Sequence, residues 1–321
     1  MIEASTRRLD RSAKTYVAGH GGLAGSAIWR RLTIEGFTGL IGRRSTELDL
    51  RDRRQVFAFF EEVRPEAVIL AAAKVGGIVA NNTWPADFLS ENLQIQVNVM
   101  DAAARIGVDR LLFLGSSCIY PKFAPQPITE DSLLTGHLEP TNDAYAVAKI
   151  AGIFQVQAVR RQHGLRWISA MPTNLYGPGD NFSQSASHVL PGLIRRYETA
   201  RIESSPVVVN WGSGSPRREF LHAYDMADAV LHILDNYDDP SPINLGVGSD
   251  LTIRSLATIV SDAVGYRGRT EWDTSKPDGT PRKVLDISRI SALGWRPQIT
   301  LSEGIAGTVE WFRNNSAALR T

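Results

Sequence analysis

The feature that most constrains this chain lies near its start. A short apolar run, Thr15–Gly19, enters Gly19-His20-Gly21-Gly22-Leu23-Ala24-Gly25, and a stretch with helical spacing follows at once. Leu23, Ala27, Ile28 and Leu32 share one face of that stretch, Leu23–Glu35. A strand that passes into a helix through closely spaced glycines makes a tight turn, and its backbone N–H groups lie open to a phosphate. The helix N-terminus adds partial positive charge at the same place. Such a start predicts a dinucleotide-binding turn and, behind it, parallel strands alternating with helices.

The alternation continues. Gly39–Gly42, Ala67–Ala73, Arg110–Gly115 and Trp167–Met171 read as further strands, the last closed by Pro172. Arg53–Val63, Pro85–Arg105 and Ala144–His163 read as the helices between them. Continuously apolar strands separated by helices predict an α/β chain with a doubly wound parallel sheet covered on both faces. Beyond Pro172 the pattern loosens. Thr173–Ser187, rich in Gly, Pro, Asn and Ser, reads as loop, and His188–Thr199 as a helix. Val207–Trp211 and Ile243–Val247 read as strands around a helix, Asp225–Asn236, forming one strand-helix-strand excursion back to the first lobe. Ile253–Val264 and Leu301–Asn314 are expected helices flanking a polar stretch, Thr274–Lys283. The expected division is a dinucleotide-binding domain over 15–175 with a return near 218–247. A smaller lobe takes 176–217 and 248–321, and residues 1–14 form a polar tail.

Composition narrows the class. A formal net charge of +1 argues against broad attraction to nucleic acid or an anionic membrane. The longest apolar runs, such as Val68–Ala73, are strand-sized, and the arginine-bearing start has no apolar signal core. Cys118 is the single cysteine, which excludes an internal disulfide and any multi-cysteine zinc or iron–sulfur site. The expectation is a soluble cytoplasmic protein with no metal.

Two constellations carry chemistry. At the end of the second strand, Gly42-Arg43-Arg44-Ser45 holds no acid before Glu47, so no carboxylate meets a ribose 2′-hydroxyl. A guanidinium fork matches a 2′-phosphate instead, and Arg43 and Arg44 favour NADP. Farther on, Tyr145 and Lys149 stand one helical turn apart, and Ser116-Ser117-Cys118 ends the fourth strand, where an open parallel sheet places its ligand crevice. Serine and tyrosine hydroxyls together can hold a carbonyl oxygen. A neighbouring ammonium lowers a phenol's pKa, giving a proton donor suited to ketone reduction.

With these motifs, AAAKVGGIVANN (Ala71–Asn82), LGSSCIYP (Leu114–Pro121), EPTNDAYAVAK (Glu139–Lys149) and MPTNLYGPGDNF (Met171–Phe182) resemble the extended short-chain dehydrogenases/reductases. SHVLP (Ser187–Pro191), WGSG (Trp211–Gly214), RREFLH (Arg217–His222) and KPDGTPRK (Lys276–Lys283) extend the resemblance to the branch that makes GDP-L-fucose, over nearly the whole chain from Tyr16. The resemblance implies NADPH-dependent epimerisation at carbons 3 and 5 of GDP-4-keto-6-deoxy-mannose, then reduction of the 4-ketone. It implies Ser116, Tyr145 and Lys149 as the reducing centre and Cys118 with His188 as the acid/base pair for the two epimerisations.

For the cofactor it implies the turn residues Gly19, His20, Gly21, Gly22, Leu23, Ala24 and Gly25, with Arg43 and Arg44 at the phosphate. Leu114, Gly115, Ser116 and Ser117 are implied at the strand end, and Pro172, Thr173, Asn174 and Leu175 at the nicotinamide. Tyr145, Lys149 and His188 complete that set. For the nucleotide sugar, Arg196 and Arg218 are the candidate diphosphate ligands, Trp211 an apolar wall and Asp278 a hydrogen-bond acceptor.

One departure stands out: the family's turn reads GHRG, and Gly21 replaces that arginine here, so NADP preference leans on Arg43 and Arg44. Homodimerisation through Pro85–Arg105 and Ala144–His163 is a family-level implication. The neighbouring 4,6-dehydratase chemistry needs an acidic pair where Ser117 and Cys118 stand. A 4-epimerase has no use for Cys118 with His188. A non-enzymatic dinucleotide binder predicts damage at Ser116, Tyr145 or Lys149, and all three are intact.

Overall fold

The computed structural model describes residues 8–183, 187–276 and 278–315. Residues 1–7 of the expected tail, 184–186 of the expected loop, position 277 of the KPDG stretch and 316–321 of the expected second lobe lie outside them. The first half runs β1 (Thr15–Ala18), α1 (Leu23–Ile34), β2 (Leu40–Ile41), α2 (Arg53–Val63), β3 (Ala67–Leu70), α3 (Ile78–Thr83), α4 (Pro85–Arg105), β4 (Arg110–Leu114), α5 (Asp143–His163) and β5 (Ile168–Pro172). The second half runs β6 (Asn174–Tyr176), α6 (Val189–Ile202), β7 (Val207–Trp211), β8 (Arg217–Arg218), β9 (Phe220–His222), α7 (Ala223–Asn236), β10 (Ile243–Leu245), β11 (Leu251–Thr252), α8 (Ile253–Val264), β12 (Arg269–Asp273), β13 (Arg282–Lys283), α9 (Ser288–Ala292) and α10 (Leu301–Asn315).

Six strands form one parallel sheet in the order β10-β5-β4-β3-β1-β2. Its register aligns Val17 with Ile69, Ile69 with Leu112 and Leu112 with Ile168. Because side chains alternate across a strand, each apolar run feeds both faces. Tyr16, Val68, Leu111 and Phe113 pack under α2, α4 and α5, against Phe60, Met100 and Ile153. Val17, Ile69, Leu112 and Ile168 pack under α1 and α7, against Ile28, Leu32 and Val230. Every one of these side chains is almost fully buried. Burial of each contributes roughly 1.5–3 kcal/mol, so the double layer fixes the sheet. The order reverses between β1 and β3, and the crevice at the strands' carboxyl ends opens there.

A third apolar cluster joins α6, α8 and α10 through Leu193, Ile194, Leu256, Val260, Ile305 and Val309. Glu198 of α6 anchors it, accepting two hydrogen bonds each from Arg201 and Arg313. The hydrogen bonds from Arg201, then those from Arg313, outweigh burial and hold its carboxyl at about 2. At the other end of the chain, Arg11 pairs with Asp235 at 2.7 Å and lies over the Phe37 ring, tying residues 8–14 to α7.

Two expectations fail, for one reason. Thr173–Ser187 is not all loop, because Asn174–Tyr176 is β6, paired in parallel with β9. The strand-helix-strand excursion is also different: β7 pairs with β12 away from the main sheet, β9 leads into α7, and only β10 joins, beside β5. Strands of two or three residues such as β6 and β9 carry no period of their own, and the period of the five-residue β7 marks a strand without fixing which strand it joins; in both cases a distant partner decides. Among the described residues no helix is long and apolar enough to cross a membrane.

Candidate active site

The glycine turn is shaped by contacts that forbid side chains. Gly19 has φ +86°, and a Cβ on it would lie 2.8 Å from the backbone of Ala72, just beyond β3. A Cβ on Gly25 would stand 2.0 Å from the Gly19 carbonyl oxygen. Gly22 donates its N–H to that same oxygen at 2.9 Å and caps α1 with no side chain of its own. Gly21 differs: a Cβ there meets nothing within 4 Å. The cradle therefore needs Gly19 and Gly25 for its shape, and Gly21 is the position where the family's arginine would fit. His20 packs on Trp29 and blocks any side chain at Gly42, whose Cβ would lie 2.7 Å from its ring. Arg43 and Arg44 follow on the exposed loop; Arg43 lies over Phe59 and donates to the Gly42 carbonyl. These residues fit a dinucleotide carrying a 2′-phosphate.

At the carboxyl end of β4, Gly115 donates to Ala170 and is pressed against Met171, where a Cβ would come within 2.4 Å. The chain then makes a single 3-10 turn, Ser117–Ile119, capped by the Ser116 hydroxyl accepting from the Cys118 N–H at 3.2 Å. Ser116 also hydrogen-bonds Tyr145, which α5 presents from its first turn. One turn on, Lys149 is buried, donates to the Leu114 carbonyl at 2.9 Å and lies 5.8 Å from the Tyr145 ring centre.

The expectation that this ammonium acidifies Tyr145 is not met in the chain by itself. Burial pushes the phenol up, charge on Cys118 adds to that, and the Ser116 hydrogen bond opposes it. Burial likewise lowers Lys149 to about 7. A phenol kept protonated at neutral pH remains a hydrogen-bond and proton donor.

Cys118 is half-buried and sits 3.6 Å from Lys283 Nζ. Burial alone raises a thiol, but the Lys283 charge and hydrogen bonds from Ser116, Lys283 and Asn142 together bring Cys118 below its ordinary value. Lys283 arrives because β13 pairs in parallel with β8, aligning Lys283 with Arg218 and Arg282 with Arg217. Arg217 and Arg282 both turn to Asp250, at 2.6 and 2.5 Å. Arg218 and Lys283, on the alternate positions, are left facing Cys118, whose charge raises Arg218 while burial lowers it more. Glu139 completes the wall: it pairs with Lys122 at 3.0 Å and accepts from Thr280 at 3.1 Å, pinning the 278–280 loop to the approach of α5.

Four expected residues thus come together: Ser116, Cys118, Tyr145 and Lys149. Arg218 stands within electrostatic reach. His188 caps α6, opens to solvent and is still flanked by enough protein that desolvation lowers its pKa. Among the described residues no hydrogen bond joins it to Cys118. Pro172 ends β5, Thr173 donates to Leu245, and Asn174 and Leu175 belong to β6. Arg196 donates to Asn210 at 2.6 Å, and Trp211 is 60% exposed beside Lys276. Asp278 uses both carboxylate oxygens on Ser213, at 2.7 Å each, and so fixes the turn after Trp211. Sequence reasoning missed Lys283, Asn142 and Glu139. All three lie inside the motifs above, but only the tertiary fold puts Lys283 and Asn142 beside the thiol and Glu139 on Lys122 and Thr280.

A parallel six-stranded sheet with a glycine cradle at its switch point and a Ser–Tyr–Lys cluster at the end of β4 defines a dinucleotide-dependent enzyme of the Rossmann-like class. The sequence profile of the NAD dependent epimerase/dehydratase family matches residues 15–246, and the chain belongs to that family. It is 58% identical to the probable GDP-L-fucose synthase 1 of Oryza sativa subsp. japonica, over 95% of this chain and 94% of that one. It is 51% identical to the GDP-L-fucose synthase of Escherichia coli (strain K12), over 96% of this chain and 98% of the other. Among solved structures, a GDP-L-fucose synthetase from Naegleria fowleri bound to NADP superposes with TM-score 0.92 at 31% identity, covering 99% of this chain and 98% of that one.

Proposed function

We propose that this chain converts GDP-4-keto-6-deoxy-mannose into GDP-L-fucose, with NADPH, by epimerising carbons 3 and 5 and reducing the ketone at carbon 4. The observation that carries this reading is the Cys118 thiol, 3.6 Å from Lys283 Nζ, in the same cluster as the Ser116–Tyr145 hydroxyl pair. Identity of 51–58% to GDP-L-fucose synthases over nearly the whole chain supports the sugar, and likeness to a GDP-L-fucose synthetase bound to NADP supports the cofactor.

The ketone acidifies the protons on both neighbouring carbons. Removing either leaves an enolate whose charge rests on the carbon-4 oxygen, where Ser116 and Tyr145 donate hydrogen bonds. Cys118 and His188 take a proton from one face of the ring and return one on the other. Lys283 holds the thiol below its ordinary value and so favours the thiolate, and the openness of His188 lets protons exchange with water. Bound NADPH supplies the hydride for carbon 4. Tyr145 delivers the matching proton to the oxygen, and Lys149 holds the strand end under that hydroxyl through the Leu114 carbonyl. Arg196 and Arg218 meet the diphosphate, Trp211 walls the nucleotide, and Asp278 fixes the turn that carries Trp211.

On this reading the chain divides into a cofactor part, 15–175 with a return near 218–247, and a sugar-binding part, 176–217 with 248–321. The separate cluster of α6, α8 and α10 supports that division. The protein acts as a cytoplasmic homodimer. In support of the dimer, α4 and α5 carry Val97, Val147 and Phe154 exposed at 37%, 46% and 45%. The test is to mix protein, NADPH and GDP-4-keto-6-deoxy-mannose, follow NADPH absorbance and identify the sugar by NMR. GDP-L-fucose is expected. A reduced sugar with carbons 3 and 5 uninverted, or no NADPH oxidation, overturns the assignment.

A further inference from the structure

One fully buried carboxylate stands between the cofactor end and the cationic strands, and the chemistry above does not use it. Glu219 directly follows Arg218. Side chains alternate along an extended chain, so Arg218 faces Cys118 while Glu219 points inward, at 0% exposure. Its Oε1 accepts the N–H groups of Val247 and Gly248 at 2.6 and 2.7 Å, and its Oε2 accepts that of Leu285 at 3.0 Å. Its backbone carbonyl accepts from Asn174 Nδ2 at 2.8 Å. The neighbouring loop is moulded around it, because a Cβ on Gly246 would lie 2.5 Å from Oε1.

Those bonds tie together the pieces of the site. Val247 and Gly248 leave the edge strand β10 of the main sheet, Asn174 opens β6, and Leu285 lies two residues beyond Lys283. Burying a carboxylate is costly, and burial pushes the Glu219 pKa up against the pull of its backbone hydrogen bonds. Among the described residues it has no ion-pair partner, so its satisfaction comes from backbone N–H groups of two separate segments and a side-chain hydrogen bond with Thr173. A neutral amide of the same shape would set an NH2 against one of those N–H groups. A carboxylate alone can accept on both oxygens.

We propose that Glu219 is a positioning residue for this reaction: its carboxylate sets where Arg218 and Lys283 stand relative to Cys118 and the end of the parallel sheet. The inference rests on the roles given above to Arg218 and Cys118. Lys283 Nζ lies 3.6 Å from the thiol, and the attraction weakens as that distance grows. If the Leu285 tie goes, β13 shifts and the thiol loses its ammonium; Arg218, on the paired strand, leaves the diphosphate.

Cys118 is the only cysteine, so the pH dependence of alkylation by iodoacetamide reads this thiol alone and needs no turnover. The charged and titratable groups facing it are Lys283 from β13, Arg218 from β8 and Tyr145 from α5. In Glu219→Gln the inflection moves alkaline by roughly one pH unit, the scale of one withdrawn opposite charge. KM for the keto sugar rises about tenfold, as for one displaced charged contact. The Kd for NADPH stays within about twofold, because the backbone carbonyl under Asn174 is untouched. Gly246→Ala keeps the charge but drives Oε1 back; it moves both readouts the same way by less, and decides the matter if the glutamine variant does not fold. A parent-like profile and KM, or NADPH affinity falling in step with KM, overturns the proposal. An ordinary thiol profile in the parent overturns both this proposal and the acid/base reading of Cys118.

Discussion

The two ends of the cleft are built on opposite principles. At the cofactor end, specificity of shape comes from missing side chains: Gly19 and Gly25 are needed because backbone lies 2.8 and 2.0 Å from where their Cβ atoms would be. Five consecutive elements, β1 through β3, supply the glycine turn and the arginine loop behind it, and that part of the site is local in sequence. At the proposed sugar end, the side chains are brought in by β4, α5, β8 and β13, held by one 3-10 turn and the short β8–β13 pairing. The contrast teaches where each end breaks. The turn fails by sterics, with affinity and stability falling together; the thiol cluster fails by chemistry, with the fold intact.

The largest break is expected at the hydroxyl pair. Tyr145→Phe keeps the ring packed on Phe88 but removes the proton donor, and reduction should fall by roughly 10²–10⁴-fold in stopped-flow NADPH oxidation. Turnover near the parent value would remove Tyr145 from the chemistry. Cys118→Ser separates the two reactions: proton removal slows by roughly 10²–10³-fold because a hydroxyl is a far poorer base than a thiolate. Run in heavy water, this variant should fail to take up deuterium at one or both of carbons 3 and 5, and yield a reduced sugar of the wrong configuration. Full incorporation with GDP-L-fucose as sole product would make Cys118 a packing residue.

At the other end, Gly25→Ala forces a Cβ onto a backbone oxygen, costing about 3 kcal/mol with a matching loss of NADPH affinity. Gly21→Ala, in open space, should leave melting temperature and Kd unchanged. Equal effects of the two would erase the steric account of the turn.

Glu198→Gln probes stability away from both ends. Its folded pKa, about 2, lies below the unfolded value near ~4.3, so its contribution is complete above that range and is lost as pH falls toward 2. With both guanidiniums partly exposed, the loss at neutral pH is about 2 kcal/mol. The gap between parent and variant melting temperatures should close on acidification; a gap that persists to low pH removes the ion triad as its cause.

The smallest expected effect is on cofactor choice: Arg43→Ala or Arg44→Ala should weaken NADPH by about tenfold and leave NADH alone, read by fluorescence titration. Equal parent affinities for the two cofactors would mean that Gly21, in the arginine's place, has decided the preference.

How legible each region was follows from its range along the chain. The strands and helices of the sheet were readable because each carries its own period; β1 through β4 fall within the expected runs, and β5 runs one residue past its own, onto Pro172. The short β6, β8, β9 and β13 have no period to read, and Asn174–Tyr176 looks like loop until Phe220–His222 lies beside it. Ser116, Cys118, Tyr145 and Lys149 were legible as residue types at the right strand end and helix turn. Their electrostatics were not: burial raises Tyr145 and lowers Lys149, against the simple expectation for a neighbouring ammonium.

By itself, then, the sequence determined the parallel sheet, the glycine cradle and which residues are proposed as reactive groups, since periodicity and glycine sterics act over a few residues. Only the tertiary structure decided that Lys283 reaches Cys118 and that Glu219 holds the two strand segments in place. Those contacts join residues 165 apart and 66 apart, and their strength depends on separations of a few ångströms inside a buried, low-dielectric site, which no local pattern encodes.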